Sequence, residues 1–170
     1  MKLRLLIGGS SSKKFHLKEF ANALEKLQIE TKVVFDADYS DGYPSRNIRN
    51  WFQNDIKFKK LVNEFKPNLI FVDRQRHFGL SAIKFKIPLL MHVRGDFWKE
   101  MEMAKKTLYK SYPKRIVLKK WNKIADKCFK NSELILPICD YLKKRTNEQY
   151  PNKKSEILYQ GIDPKKWYYE

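Results

Sequence analysis

The chain has 170 residues, 42% of them hydrophobic and 32% charged, which suits one globular domain with its own core. Its two cysteines, Cys128 and Cys139, fit neither a zinc motif nor a disulfide framework, and no apolar run approaches membrane-spanning length. Zinc-binding, disulfide-rich and membrane-spanning proteins are therefore excluded, and a cytoplasmic protein is expected. The formal net charge of +17 predicts attraction to nucleic acid, anionic lipid or phosphorylated ligands, although a uniformly lysine-rich surface explains it equally well.

The first predicted element is a short apolar strand over residues 3–7, which runs into Gly8, Gly9 and Ser10. Apolar residues then recur at helical spacing over 17–27, so the pattern predicts the first half of a βαβ unit. A glycine-rich turn of this kind lets backbone amides approach an anion at the helix N-terminus, although an ordinary tight turn is the alternative. The turn has neither the G-x-G-x-x-G fingerprint nor a Walker lysine, which excludes a dinucleotide motif and a P-loop.

Strands and helices keep alternating along the rest of the chain. Further strands are predicted over 31–35, 68–72, 87–93, 133–136 and 156–159, with at least one helical pattern between each and the next. This alternation predicts an α/β fold, a doubly wound Rossmann-like parallel sheet of about six strands with helices on both faces. The default strand order of 3-2-1-4-5-6 would put Gly8 and Gly9 beside residues 94–96 in one crevice.

The end of the fourth predicted strand carries the densest set of candidate site residues. Arg94, next to Gly95, can present its guanidinium to a phosphate or a sugar, or can form an ion pair with Asp96 or Asp73. His92 shares a face of the strand with Arg94, and it is either a sugar contact or a buried core residue. Asp96 is either an acceptor-side base or the N-cap of the next helix.

Four stretches, in this order and spacing, resemble the N-terminal, acceptor-side domain of family-four retaining glycosyltransferases of the GT-B fold. They are LLIGGSSSKKFHLKEFANALEKLQIETKVV, IPLLMHVRGDFW, SELILPICDYLKKR and ILYQGIDPKKW. The chain departs from the family at three positions. Arg94 stands where the family often has His, Cys139 where it commonly has Ser, and Gln160 where it commonly has Asn.

The resemblance implies that residues 1–170 form a single Rossmann-like domain, and that a C-terminal domain binding the nucleotide sugar is absent. The complete enzyme would move a sugar from a nucleotide donor to an acceptor hydroxyl with retention, and the isolated half would be inactive. No metal and no cofactor are implied. The candidate catalytic residues are Arg94, His92 and Asp96, and the candidate donor- or acceptor-binding residues are Gly8, Gly9, Ser10, Gly95 and Arg74.

Lysines and arginines crowd the two helical patterns between residues 99 and 130. Lys114, Lys120 and Lys127 fall away from the apolar stripe of the second helix and are expected to face solvent. Since several enzymes of the resembled family act on lipid-linked acceptors, this face is a candidate for peripheral contact with the anionic inner face of a membrane.

The alternative function is a non-catalytic basic module for nucleic acid or an anionic surface. The chain carries no nucleic-acid-binding signature, which makes nucleic acid an unfavoured partner. Another doubly wound protein that binds a small phosphorylated ligand is a third possibility.

Overall fold

The computed structural model describes residues 3–45, 48–52, 55–159 and 161. The strands are β1 (Arg4–Gly9), β2 (Glu30–Phe35), β3 (Leu69–Val72), β4 (Leu89–Val93) and β5 (Leu134–Pro137). The α-helices are α1 (Lys14–Glu25), α2 (Asp36–Tyr39), α3 (Ile56–Phe65), α4 (His77–Lys84), α5 (Phe97–Lys106), α6 (Tyr112–Asn131) and α7 (Asp140–Gln149). Short 3-10 helices span Ser11–Lys13 and Ile48–Phe52.

The strands form one parallel sheet in the order β2-β1-β3-β4-β5. The α/β class is confirmed, and the sheet is consistent with a Rossmann-like half of a GT-B fold. The default strand order was wrong, because β3 lies between β1 and β4. The reason is that α1 and α3 pack on opposite faces of the sheet. Right-handed crossovers on opposite faces therefore carry β2 and β3 to opposite sides of β1.

Alternation along the strands sorts the side chains onto two faces. One face packs against α3, α4 and α6 through a large buried cluster that includes Leu6, Phe58, Phe78, Met91 and Phe129. The other face packs against α1 in a smaller cluster, to which β3 contributes Phe71 and β4 contributes Leu90. Side chains at every second position of a strand point to the same face. Asp73 therefore projects toward the α1 side as Phe71 does, and His92 and Arg94 project there as Leu90 does.

Apart from shifts of one or two residues at other strand ends, two predictions differ from the structure. Gly8 and Gly9 are the last residues of β1 rather than a turn, and each is paired in register with β2. The predicted sixth strand runs beside β5, where Glu156 N donates to Ile135 O (3.0 Å) and Leu158 N donates to Pro137 O (2.9 Å). It forms only an isolated bridge at Ser155, so the described part of the sheet has five strands.

None of the helices in the described ranges combines the length and the apolar character that a bilayer-spanning helix needs.

Candidate functional site

Two cavities meet at the carboxyl edge of the sheet. The first, of about 450 Å³, lies between α1 and the sheet, and we call it the α1 cavity; its lining includes Leu17, Phe20, Phe71 and Leu158. The second, of about 460 Å³, we call the basic cavity; its charged lining is Lys13, Asp73, Arg74, Arg76, Arg94 and Glu100. Asp73, His92 and Arg94 line both cavities. These three side chains therefore form the partition between the two spaces.

The partition is an ion cluster centred on Asp73. This residue follows β3, and its backbone N donates to Gly8 O (3.1 Å), which fixes it beside the end of β1. Its carboxylate Oδ1 lies 3.3 Å from His92 Nδ1 and 3.3 Å from an Arg94 guanidinium nitrogen. The Asp73 side chain is 2% exposed, that of His92 8% and that of Arg94 18%. Enclosing a carboxylate this deeply costs solvation free energy, which such charged and hydrogen-bonding partners offset.

His92 offers one nitrogen to a ligand. Its ring lies beside that of Phe71, with 5.3 Å between the ring centroids, and Nδ1 is taken by Asp73. Because a carboxylate only accepts, the proton of the neutral imidazole belongs on Nδ1, and Nε2 becomes the acceptor. Nε2 is buried, and no described residue hydrogen-bonds to it. The ring can therefore accept a hydroxyl proton or, once protonated, donate to an anionic oxygen.

Arg76 is the most distinctive cation of the basic cavity. Its guanidinium stacks on the Trp121 ring, 3.7 Å from the centroid, and forms no ion pair with a residue that the structure describes. Burial, and then the neighbouring charge of Arg74, lower the pKa of Arg76 below the ordinary value of an arginine. The group nevertheless stays charged, since arginine does not deprotonate in proteins. A desolvated, stacked guanidinium is well suited to meet a phosphate.

Arg74, the predicted ligand contact, is held by Asp36. Its Nε donates to Asp36 Oδ2 (3.0 Å) and its Nη2 donates to Oδ1 (2.6 Å). Asp36 is 4% exposed and stands directly after β2. The pair ties the end of β2 to the end of β3. Arg74 lines the basic cavity, so it contributes charge there while its fork is engaged with the carboxylate.

Asp96 is the N-cap of α5. It accepts from Lys99 N (3.0 Å), Tyr141 Oη (2.7 Å) and Arg145 Nε (3.2 Å). Burial by itself would raise the pKa of Asp96, but these hydrogen bonds and the charge of Arg145 outweigh it, so the pKa falls below 3.8. Asp96 lines neither the α1 cavity nor the basic cavity. The geometry favours the helix-cap interpretation and links α5 to α7.

Packing requires glycine at positions 8 and 9, whereas Gly95 has only the end of a flexible side chain nearby. A Cβ on Gly8 would lie 2.6 Å from the Phe78 ring, and one on Gly9 would lie 2.6 Å from a Leu17 methyl group. A Cβ on Gly95, which lines the basic cavity, would lie 2.7 Å from a Glu100 carboxylate oxygen. Neither Gly8 nor Gly9 lines the α1 cavity or the basic cavity.

Ser10 also lines the basic cavity, and its Oγ lies 2.9 Å from Ser12 Oγ at the start of the first helical turn. Gln160 and the segment 162–170 of the closing ILYQGIDPKKW stretch lie outside the described residues.

The sequence-based site missed Asp73 as the hub of the cluster, as well as Arg76 and Trp121. The polar run after β3 was a signal for Asp73 and Arg76, since both follow a buried strand. Trp121 gave no such signal, because it occupies a position of the apolar stripe of α6. Only the packing of α6 over the β3 end brings its ring under Arg76.

No protein-family model matches the chain, and a comparison with curated proteins finds no significant relative. Among solved structures, the crystal structure of UDP-N-acetylglucosamine 2-epimerase is similar, with a TM-score of 0.59 and 14% sequence identity. The match covers 94% of this chain and 48% of that chain, so this chain spans about half the length of that solved protein. At this identity the likeness shows the fold alone.

Proposed function

We propose that the chain is the N-terminal domain of a retaining glycosyltransferase of the GT-B architecture, and that a C-terminal domain supplies the nucleotide-sugar site. The observation that carries the proposal is the Asp73–His92–Arg94 cluster, which lies at the carboxyl edge of a parallel sheet between two cavities. Ligands of open α/β sheets bind at this edge. The fold shared with a nucleotide-sugar enzyme over 94% of the chain supports the same assignment.

The groups at the carboxyl edge of the sheet suit different parts of the two substrates. The basic cavity, with the Arg76 guanidinium and the hydroxyls of Ser10 and Ser12, suits the phosphates of a donor or of a phosphorylated acceptor. His92 Nε2 suits a sugar hydroxyl, because it is an acceptor held in place through Asp73. Arg94 stands beside the same carboxylate and would meet negative charge that develops on the leaving phosphate.

The test uses the polypeptide that joins this chain to the C-terminal half of the fold, with radiolabelled nucleotide sugars and product analysis. Label transferred to an acceptor with retained anomeric configuration supports the proposal. In that protein Arg94→Ala should lower kcat by at least about 100-fold. A product that is the C2 epimer of the donor, with no transfer, would assign the site to epimerisation instead. The chain alone should transfer nothing, because groups on both sides of the cleft must be preorganised.

We further propose that the end of α5 and the start of α6 contact an anionic membrane surface where a lipid-linked acceptor resides. Exposed apolar side chains stand there among lysines: Met103, Leu108, Tyr112 and Ile116. Lys114 and Lys119 on α6 are exposed, and each lysine near an anionic surface contributes about 1 kcal/mol. Apolar and aromatic side chains beside cations suit the headgroup boundary.

Co-sedimentation with phosphatidylcholine vesicles, with and without phosphatidylserine, tests this contact. Binding should require the anionic lipid, fall with salt and weaken in a Lys114→Glu, Lys119→Glu variant. A Lys57→Glu, Lys59→Glu variant makes the same charge change on α3 and should bind as the parent does. Equal binding to both vesicle types, or tighter binding to random DNA, would contradict the membrane contact, and the second result would favour a nucleic-acid module.

A further inference from the structure

A third cavity, of about 460 Å³, lies away from the Asp73 cluster, between α4, α6 and the segment that follows α2. We call it the lysine cavity; its charged lining is Asp41, Asp55, Lys84, Lys120, Lys123 and Lys127. It shares no lining residue with the basic cavity. His77 lines the lysine cavity and Trp121 lines the basic cavity, and their rings meet edge to face with centroids 5.8 Å apart. The two rings therefore stand between the two spaces.

The positive charge in this cavity is only partly neutralised. Lys120, Lys123 and Lys127 share one face of α6 by their spacing, and none of them forms an ion pair within the part of the chain that the structure describes. Lys84, in contrast, is paired, because its ammonium donates to Asp55. All three α6 lysines of the cavity are exposed, and like charges on adjacent turns repel each other, so an anion bound in the cavity would stabilise them.

The two carboxylates of the lining are committed to the cavity wall. Asp55 accepts from Ser81 Oγ (2.7 Å) as well as from Lys84. Asp41 accepts from Gly42 N (2.9 Å), Ser45 Oγ (2.6 Å) and Asn50 Nδ2 (2.8 Å). These bonds shape the loop, and they leave the α6 lysines without a carboxylate partner among the described residues.

Aromatic rings form another part of the lining. Tyr43 and Trp51 contact edge to face with centroids 4.7 Å apart, and Trp51 Nε1 donates to Ser45 O (2.8 Å), which fixes the indole. Trp51 is 38% exposed, so part of its ring is available to a ligand. Burial lowers the pKa of His77, and the charges of Arg76 and Lys120 act in the same direction, against the opposing effects of Tyr43 O and Asp41, so the protonated form of this ring is disfavoured.

We propose that the lysine cavity binds a phosphorylated saccharide, with the phosphate on Lys120, Lys123 and Lys127 and the sugar ring against Trp51. Ammonium groups recognise phosphate as point charges, and an aromatic face gives a sugar ring its apolar contact. A volume of about 460 Å³ is within the range of small-molecule sites and suits one or two sugar rings. The site is separate from the Asp73 cluster and stands whether or not that cluster transfers a sugar.

The test is calorimetric titration of the whole chain with glucose 6-phosphate, glucose and inorganic phosphate. Glucose 6-phosphate should bind more tightly than either of the others, because it alone engages both walls. The variant Lys123→Gln, Lys127→Gln replaces two ammonium groups by neutral amides and should weaken binding at least about tenfold. The matched variant Lys57→Gln, Lys59→Gln removes the same charge from α3, outside the cavity, and should bind as the parent does. Trp51→Leu should weaken the binding of glucose 6-phosphate and leave the binding of inorganic phosphate unchanged.

Three results would overturn the proposal. Equal affinity for inorganic phosphate and glucose 6-phosphate would show that the site does not recognise the sugar ring. Loss of binding in Arg76→Ala, but not in the Lys123→Gln, Lys127→Gln variant, would move the ligand to the basic cavity. If the Lys123→Gln, Lys127→Gln variant no longer bound anionic vesicles but still bound glucose 6-phosphate, these lysines would belong to a lipid-binding surface.

Discussion

Asp73 Oδ1 lies 3.3 Å from His92 Nδ1, and this contact determines which imidazole nitrogen is left to meet a ligand. The two residues stand 19 positions apart, at the ends of neighbouring parallel strands. The same carboxylate also holds Arg94, so a single acidic residue positions both candidate catalytic groups. In the proposed enzyme Asp73 would therefore be a positioning residue, which acts through His92 and Arg94.

Asp73→Asn keeps the shape of the side chain and removes its charge. We expect a loss of about 1–3 kcal/mol in the free energy of unfolding, because Arg94 and His92 lose a charged acceptor in a buried site. Urea denaturation measures this loss. Asp38→Asn makes the same change on an exposed side chain and should leave the unfolding midpoint where it is. Equal stability of the two variants would mean that the Asp73 cluster contributes nothing to the fold.

Arg74 and Arg76 line one cavity but should respond differently to truncation. Arg74→Ala leaves the buried Asp36 carboxylate without its bidentate partner, so a loss of about 2–3 kcal/mol in unfolding free energy is expected. Arg76→Ala orphans no carboxylate among the described residues, so it should cost less stability. It should instead raise the KM for a phosphorylated substrate in the proposed glycosyltransferase. Denaturation and steady-state kinetics on both variants check the contrast. A larger loss of stability for Arg76→Ala than for Arg74→Ala would mean that Arg76, rather than Arg74, has the structural role.

Gly8→Ala should destabilise the protein by about 1–3 kcal/mol, because the added Cβ would lie 2.6 Å from the buried Phe78 ring. Thermal unfolding followed by circular dichroism measures the change. Gly161→Ala is the matched control, since a Cβ there meets nothing within 4 Å. A Gly8→Ala protein as stable as the Gly161→Ala protein would show that Phe78 moves aside without cost.

The N-cap of α5 should make stability depend on pH. The folded-state pKa of Asp96 is lowered, so its contribution is complete above the ordinary value of 3.8 and is lost as the pH falls through the folded value. Asp96→Ala should therefore cost about 1 kcal/mol at pH 7 and less at pH 2.5. Urea denaturation at the two pH values gives the difference. A cost that does not change between them would mean that the charge of Asp96 is not what caps the helix.

The amino-acid sequence by itself determined the fold class and the edge of the sheet that carries the site. Strand and helix periods are local properties, and polar residues that follow a buried strand must emerge at its carboxyl end. The shared side of His92 and Arg94 follows from the same alternation, and both reach Asp73 in the structure. The exposure predicted for Lys114, Lys120 and Lys127 also follows from helical spacing and is confirmed.

The tertiary structure decided the order of the strands and the partner of each charged side chain. Right-handed crossovers allow several orders, and the choice depends on which face of the sheet α3 covers, a property of packing rather than of any local pattern. That choice puts β3, and with it Asp73, between β1 and β4. The pairing of Arg74 with Asp36 and the stacking of Arg76 on Trp121 join residues 38 and 45 positions apart. Such contacts exist only once the core has brought separate elements together, because no short-range preference specifies them.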